Sequence, residues 1–330
     1  MGSTKASRGL LNDLRAHPIL CLLLLTPGIP EYLTSSSPLN AIILNPPKFI
    51  LQLAINLGLY GSGVLLIREA TVRWNKGWAT ILLLGAAYGI LEEGLALSTL
   101  YNPAANPVHR LGVYGHFWGI NWVWTAGIVP VHMIFSVSLP ILLLGLALPE
   151  TNGKRLVKSK GALMAIFAFL GIDVSGLFSL VTFGEHFWMG WPVFASSIAA
   201  IILLIIAARF APPRLLHANS GDPRVSPFRL GIIGALFYAV VLFGEQLGIG
   251  RIPAWVDFSL VIVVQALFLI YIQKVVGNKN NSRQLITLTA GLVVPISAIG
   301  FISEIPLPLV LVADLMFALF IWKLLKKCKQ

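Results

Sequence analysis

Charge is scarce in this sequence. Asp, Glu, Lys and Arg supply 11% of its 330 residues, against 57% hydrophobic, whereas soluble domains carry about 25% charged and about 45–50% apolar residues. A soluble core cannot hide that much apolar surface, but a bilayer can. Cysteine is nearly absent. Cys21 and Cys328 lie near opposite ends of the chain and form no ligand or redox motif. HExxH, GxSxG, a Walker loop and GxGxxG are all missing, so the usual motif-based enzyme readings do not apply. The only extended hydrophilic stretch is 209–229, with Pro212-Pro213, Asn219-Ser220-Gly221-Asp222-Pro223 and four arginines. It reads as a linker, and no separate soluble domain is expected.

What is present is a series of apolar runs of 17 or more residues, enough to cross about 30 Å of hydrocarbon as helix. The expected fold is all-α, a polytopic transmembrane bundle with spans near 18–33, 49–67, 78–98, 118–147, 161–183, 190–208, 230–249, 255–273, 285–303 and 307–323. Lys5, Arg8 and Arg15 before the first run mimic a signal peptide, but Thr26-Pro27-Gly28-Ile29-Pro30-Glu31 offers no cleavage site. The run reads as a retained span, with a re-entrant segment as the alternative because it is short and holds Pro27 and Pro30. Pro130 and Pro140 are expected to kink the long fourth span.

Positive charge tests this list independently, because short cytoplasmic loops concentrate Lys and Arg. The alternation places 21 of the 24 basic residues on one side and leaves Lys48, Arg110 and Arg251 on the other. Ten spans with both termini cytoplasmic follow. The net charge of +11 therefore reports topology, and no nucleic-acid partner is expected. The organisation reads as a six-span bundle over 1–208, a linker over 209–229 and a four-span bundle over 230–330. Phe183-Gly184-Glu185, Phe243-Gly244-Glu245 and Phe301-Ile302-Ser303-Glu304 recur about 60 residues apart, as hairpins with acidic tips.

Charges within spans are costly and therefore informative. Glu92 and Glu93 sit about fifteen residues into an otherwise apolar span. Two adjacent carboxylates at that depth require a proton, a metal or a cation. Tyr88, one turn earlier, is within reach of Glu92. In the fourth span Asn121, Thr125, His132 and Ser136 follow near-helical spacing, with Ile128 in the missing turn, and Pro130 frees a backbone carbonyl beside His132. Glu92, Glu93 and His132 are the catalytic candidates. Tyr88, Asn121, Thr125 and Ser136 are the substrate-binding candidates. Glu with His also suits a divalent metal as cofactor. Asn102-Pro103, His109, His116 and Glu185-His186 read as exposed loop residues.

The two groups should meet between the third and fourth spans. Counting from the outer helix ends, the carboxylates lie about six residues deep and His132 about fourteen, an offset of roughly 12 Å at about 1.5 Å per residue. Contact therefore requires the fourth helix to begin deeper or to be broken. An electronegative outward cavity is also expected, with Glu92 and Glu93 as its floor and Glu31, Glu245, Asp257 and Glu304 as its rim.

At Glu92-Glu93 and His132 the chain resembles the CAAX-protease and bacteriocin-processing family of intramembrane glutamate proteases, which pairs a Glu-Glu-x-x-x-Arg helix with a Phe-x-x-x-His helix. Leu97 stands at the Arg position, Ile128 at the Phe position, and no second intramembrane His follows. The resemblance implies an intramembrane hydrolase acting on a membrane-bound peptide. Over 57–145 the chain is also similar to bacterial multi-spanning proteins without an assigned activity, through Leu66-Ile67-Arg68-Glu69, Tyr88-Gly89-Ile90-Leu91-Glu92-Glu93-Gly94, Asn121-Trp122 and His132 with Ser136. A transporter or channel for a cation or small solute in the cell membrane is the alternative, and a non-catalytic scaffold among membrane lipid the third.

Overall fold

Leu, Ile, Val, Ala and Phe dominate the long runs, and these wind into helices that satisfy every interior backbone group within the segment, the requirement that hydrocarbon imposes. The structure is a computed structural model; it describes residues 17–105, 108, 111–216, 225–276, 281–305 and 307–328, without the side chain of Glu245. Lys5, Arg8, Asp13, Arg15, His109, Arg110, Asp222, Arg224, Lys279 and Lys329 lie outside the described residues.

Ten helices of three turns or more follow one another among the described residues: α1 Pro18–Tyr32, α2 Pro46–Arg73, α3 Trp78–Ala96, α4 Trp122–Ala147, α5 Lys160–Gly184, α6 Trp191–Phe210, α7 Pro227–Gly248, α8 Ala254–Val275, α9 Ser282–Ser303 and α10 Val310–Lys327. The eight from α2 to α9 are long and apolar enough to cross a membrane. α1 is shorter, and α10 carries Asp314, Lys323, Lys326 and Lys327 within its 18 residues. The protein is an all-α integral membrane protein. Its only strands among the described residues are β1 His116–Phe117 and β2 Ile120–Asn121, an antiparallel pair closed by Trp118 and Gly119, both at positive φ, as a tight two-residue hairpin turn demands.

Five helices carry π-helical turns, inside α2 and α4 at Leu57–Gly61 and His132–Ser138, and as the last turn of α1, α3 and α5 at Gly28–Tyr32, Ile90–Ala96 and Leu180–Gly184. Such turns concentrate at functional positions. The one in α4 is bracketed by the two expected kink residues, with Pro130 two residues before it and Pro140 two residues after. Pro130 has no N–H for the carbonyl of Ala126. Gln265 of α8 supplies the missing donor, 3.0 Å from that oxygen.

By its internal contacts the chain forms two compact units, each discontinuous in sequence. The first comprises residues 1–75, 135–170 and 296–330, the second 76–134 and 171–295. Within the first, Arg68 Nη2 donates to the carbonyls of Thr151 and Lys154 at 2.6 and 3.0 Å, and the buried Glu69 carboxylate accepts from Leu156 N and Arg68. Within the second, α3 packs chiefly on α6, tied by Thr80 Oγ1 donating to the Ala208 carbonyl and by Tyr101 Oη against Ser197 Oγ at 2.5 Å.

Of the acids expected at an open rim, Glu304 and Asp257 are buried. Glu304 is 1% exposed and accepts from the backbone N–H groups of Leu39 and Val310, 2.7 and 2.8 Å away. Asp257, 3% exposed, sits in the first turn of α8, where helix geometry favours an anion. Glu31 is half-buried, with Tyr60 Oη and Ser37 Oγ donating to it at 2.6 and 2.7 Å. Glu304 and Asp257, buried in this way, do not line an aqueous mouth, and this corrects the expectation for these two residues. Glu185 and His186 are exposed, as expected.

Candidate functional site

The site lies wholly in the second unit, where α3 and α4 pack as antiparallel neighbours. Small residues make the approach possible. A Cβ on Gly85 would stand 3.0 Å from Met133 Cα, and one on Gly89 would stand 3.2 Å from His132 Cβ and 3.3 Å from Val129 Cα. Glycines one turn apart let helix backbones come this close. Gly89 thus faces the Val129–His132 turn, so Glu92 and Glu93 stand about one turn, some 5 Å, from the level of His132.

Side-chain direction closes the remaining distance. Each Cα–Cβ bond leans toward its own helix N-terminus, so on antiparallel helices the carboxylates and the imidazole lean toward one another. The fourth helix also starts at Trp122, four residues later than expected, behind the β1–β2 turn. Asn121 N then donates to the Leu100 carbonyl at 2.8 Å, and Leu100 N to the Glu93 carbonyl at 3.3 Å. These bonds bring the start of α4 down to the turn that carries Glu93. The deeper start and the break at Pro130 are the two devices that contact requires.

The result is one imidazole between two carboxylates. His132 Nε2 lies 2.9 Å from Glu93 Oε1, and Nδ1 lies 3.1 Å from Glu92 Oε2. The first contact is an aligned hydrogen bond; the second has the distance of an ion pair without that alignment. Both glutamates belong to the π-turn Ile90–Ala96, in which Leu97 N donates to the Glu92 carbonyl at 2.9 Å, an i to i+5 bond. A turn with more residues per revolution narrows the angle between successive side chains, so adjacent glutamates can address one ring.

The three residues are 1%, 7% and 3% exposed. An imidazolium with two carboxylates leaves one negative charge in this buried place. One further proton makes the group neutral.

Glu93 is held from behind. Thr99 Oγ1 donates to Glu93 Oε2, and Trp124 Nε1 donates to Thr99 Oγ1 at 3.1 Å. Trp124, Thr99, Glu93, His132 and Glu92 thus form a continuous polar chain inside an apolar cluster of Leu100, Tyr101 and Val129, with Ile90, Ile128 and Met133 around it. Thr99 returns to Glu93 because the chain reverses just after α3, with Ser98 at φ 55°.

The remaining candidates divide. Tyr88 is brought to the site, its ring centroid 6.1 Å from that of His132 in an edge arrangement. Ser136 is fully buried four residues beyond His132 on the same π segment, and it falls in the first unit. Asn121 caps α4, accepting from Trp124 N at 2.9 Å and donating to the Leu111 carbonyl. Thr125 Oγ1 donates to the Asn121 carbonyl at 2.6 Å. Both spend their polar groups on the start of the helix. Asn102 is buried, not exposed as its loop position suggested, and its side chain accepts from Ala104 N at 3.0 Å. His116 meets the Tyr101 carbonyl at 3.0 Å.

Glu92, Glu93 and His132 are also a set of metal donors, each with a ligand atom within 4.8 Å of the others. The donor types suit zinc, whose ligands at about 2.0–2.2 Å stand about 3.4 Å apart in a tetrahedron. Here the imidazole meets the two carboxylates through different ring nitrogens, at 2.9 and 3.1 Å. Compared with known proteins, the chain matches no family model, no curated protein and no solved structure.

Proposed function

We propose that this protein is an intramembrane hydrolase that works by general acid–base chemistry on a membrane-bound peptide. The observation that carries the reading is the imidazole of His132 set between Glu92 and Glu93, with Glu93 fixed by Thr99. A base, a proton-carrying partner and a third group that orients the partner is the arrangement hydrolysis needs. The asymmetry of the two contacts separates the roles. Glu93 and Thr99 orient His132. Glu92, whose oxygen lacks an aligned donor, takes a proton from water as the water attacks the scissile carbonyl. His132 then delivers its proton to the leaving amine as the C–N bond breaks, and Glu92 returns the proton taken from water to His132, 3.1 Å away.

The same reading takes the chain as ten spans in the cell membrane with both termini cytoplasmic, supported by the 21-to-3 partition of basic residues. Likeness to intramembrane glutamate proteases rests on Glu92, Glu93 and His132 alone. In place of that family's Arg and Phe stand Leu97 and Ile128, and here the orienting roles fall to Thr99 and Trp124.

The test uses purified full-length protein in proteoliposomes with a panel of fluorogenic transmembrane peptides, alongside cation and proton flux. Cleavage that disappears in Glu92→Gln and in His132→Ala supports the proposal. Absence of cleavage, with a cation or proton flux that those variants abolish, replaces it with a carrier. Stoichiometric zinc in active protein that chelation removes together with activity would assign the chemistry to a metal.

A further inference from the structure

The first unit holds a cavity of about 430 Å³, within the range of sites that take small ligands. Its lining is nearly all apolar, with Leu23 of α1, Leu57 and Leu65 of α2, and Ile166 and Phe169 of α5. One end is different: Lys158 and Ser159 stand there, ahead of α5. From Ser159 to Phe169 the groove follows about ten residues of α5 and its cap, about 15 Å, close to half of a hydrocarbon core about 30 Å thick. It is as deep as one leaflet.

The polar end is built by the fold. Arg68 holds the carbonyls of Thr151 and Lys154, Glu69 accepts from Leu156 N at 2.7 Å, and Arg73 Nη2 donates to the Val157 carbonyl at 2.6 Å. These bonds turn Leu156 and Val157 inward, with Val157 5% exposed. They leave Lys154, Arg155, Lys158 and Lys160 exposed in one short segment. Ser159 Oγ accepts from Ala162 N at 3.3 Å, opening α5 directly behind the lysines. Basic side chains at a membrane-facing helix start attract anionic headgroups.

We propose that this groove is a binding site for one anionic glycerophospholipid, with an acyl chain between α1, α2 and α5 and the phosphate on Lys158 and Lys160. The apolar lining selects a chain-bearing ligand over a soluble phosphate, and the basic mouth selects an anionic lipid over a zwitterionic one. The occupant comes from the leaflet on the side where Lys and Arg concentrate. This site is independent of the Glu92–Glu93–His132 group and of its chemistry.

The test is native mass spectrometry of full-length protein taken from vesicles of equal phosphatidylglycerol and phosphatidylcholine. Wild type should retain one phosphatidylglycerol with a preference of about tenfold or more. The exposed pair Lys158→Ala with Lys160→Ala should keep a bound lipid and lose the preference, and Ala162→Trp, filling the mouth, should lose the lipid. Equal retention of the two lipids by wild type would overturn the proposal. So would a phosphatidylglycerol preference that survives both the lysine pair and Ala162→Trp in folded protein.

Discussion

Gln265 donates a hydrogen bond to the carbonyl of Ala126, 3.0 Å away, the carbonyl that Pro130 deprives of its helical partner. The two residues are 139 positions apart, and together they make a break in α4 tolerable two residues before His132. Gln265→Leu should destabilise the protein by about 1–3 kcal/mol, the cost of a buried acceptor left unpaired. Pro130→Ala restores an N–H at the right place, so Gln265→Leu on that background should cost much less. Thermal unfolding of the four proteins in one detergent measures the cycle. Strict additivity would show that the side chain of Gln265 does not serve this carbonyl.

The helices, and the candidates Glu92, Glu93 and His132, were legible in the sequence because both signals are large. Charge in an apolar run is rare enough to stand out, and length alone identifies a helix that can cross a bilayer. Thr99 and Trp124 were not legible. A single Thr in a loop carries no period, and it reaches Glu93 only because the chain reverses at Ser98. The indole of Trp124 reads equally well as a lipid-facing aromatic. The π-turns were hidden too, since hydrophobic periodicity cannot register one extra residue in a uniformly apolar helix. Asn121 was visible but read by its stripe rather than by its place: an Asn just before a helix is a cap, and it caps α4. The acidic rim failed at Glu304 because that carboxylate, at a helix end, found the backbone donors of Leu39 and Val310.

The approach of α3 to α4 rests on Gly85 and Gly89. Gly89→Ala asks Val129 and His132 to yield by a few tenths of an ångström and should fold with modest loss. Gly89→Leu should separate the helices and pull Glu93 from His132, abolishing activity while the protein still inserts. A fully active Gly89→Leu protein would contradict the packing.

Thr99→Val keeps the shape and removes the donor to Glu93. Stability should fall by about 1–3 kcal/mol, and turnover should fall by about tenfold to a hundredfold, as for other groups that orient a site from behind. Thr99→Ser should restore most of both. Initial rates beside unfolding midpoints separate positioning from bulk destabilisation; the position would be merely structural if rate tracked midpoint in every variant.

Sidedness follows from the basic loops. Reporter fusions after Lys158 and after Arg229 should read cytoplasmic, and one in the loop between α3 and α4 should read external. Opposite readings at Lys158 and Arg229 would break the ten-span topology.

The claim that one imidazole serves two carboxylates is tested most directly by the ring nitrogens themselves. The sequence has six histidines, and nitrogen-15 spectra of labelled protein in bilayers, assigned with His132→Gln, isolate the signals of His132. The account predicts that Nε2 is hydrogen-bonded, that Glu93→Gln shifts chiefly Nε2 and that Glu92→Gln shifts chiefly Nδ1. A ring whose two nitrogens are both indifferent to these substitutions would contradict it.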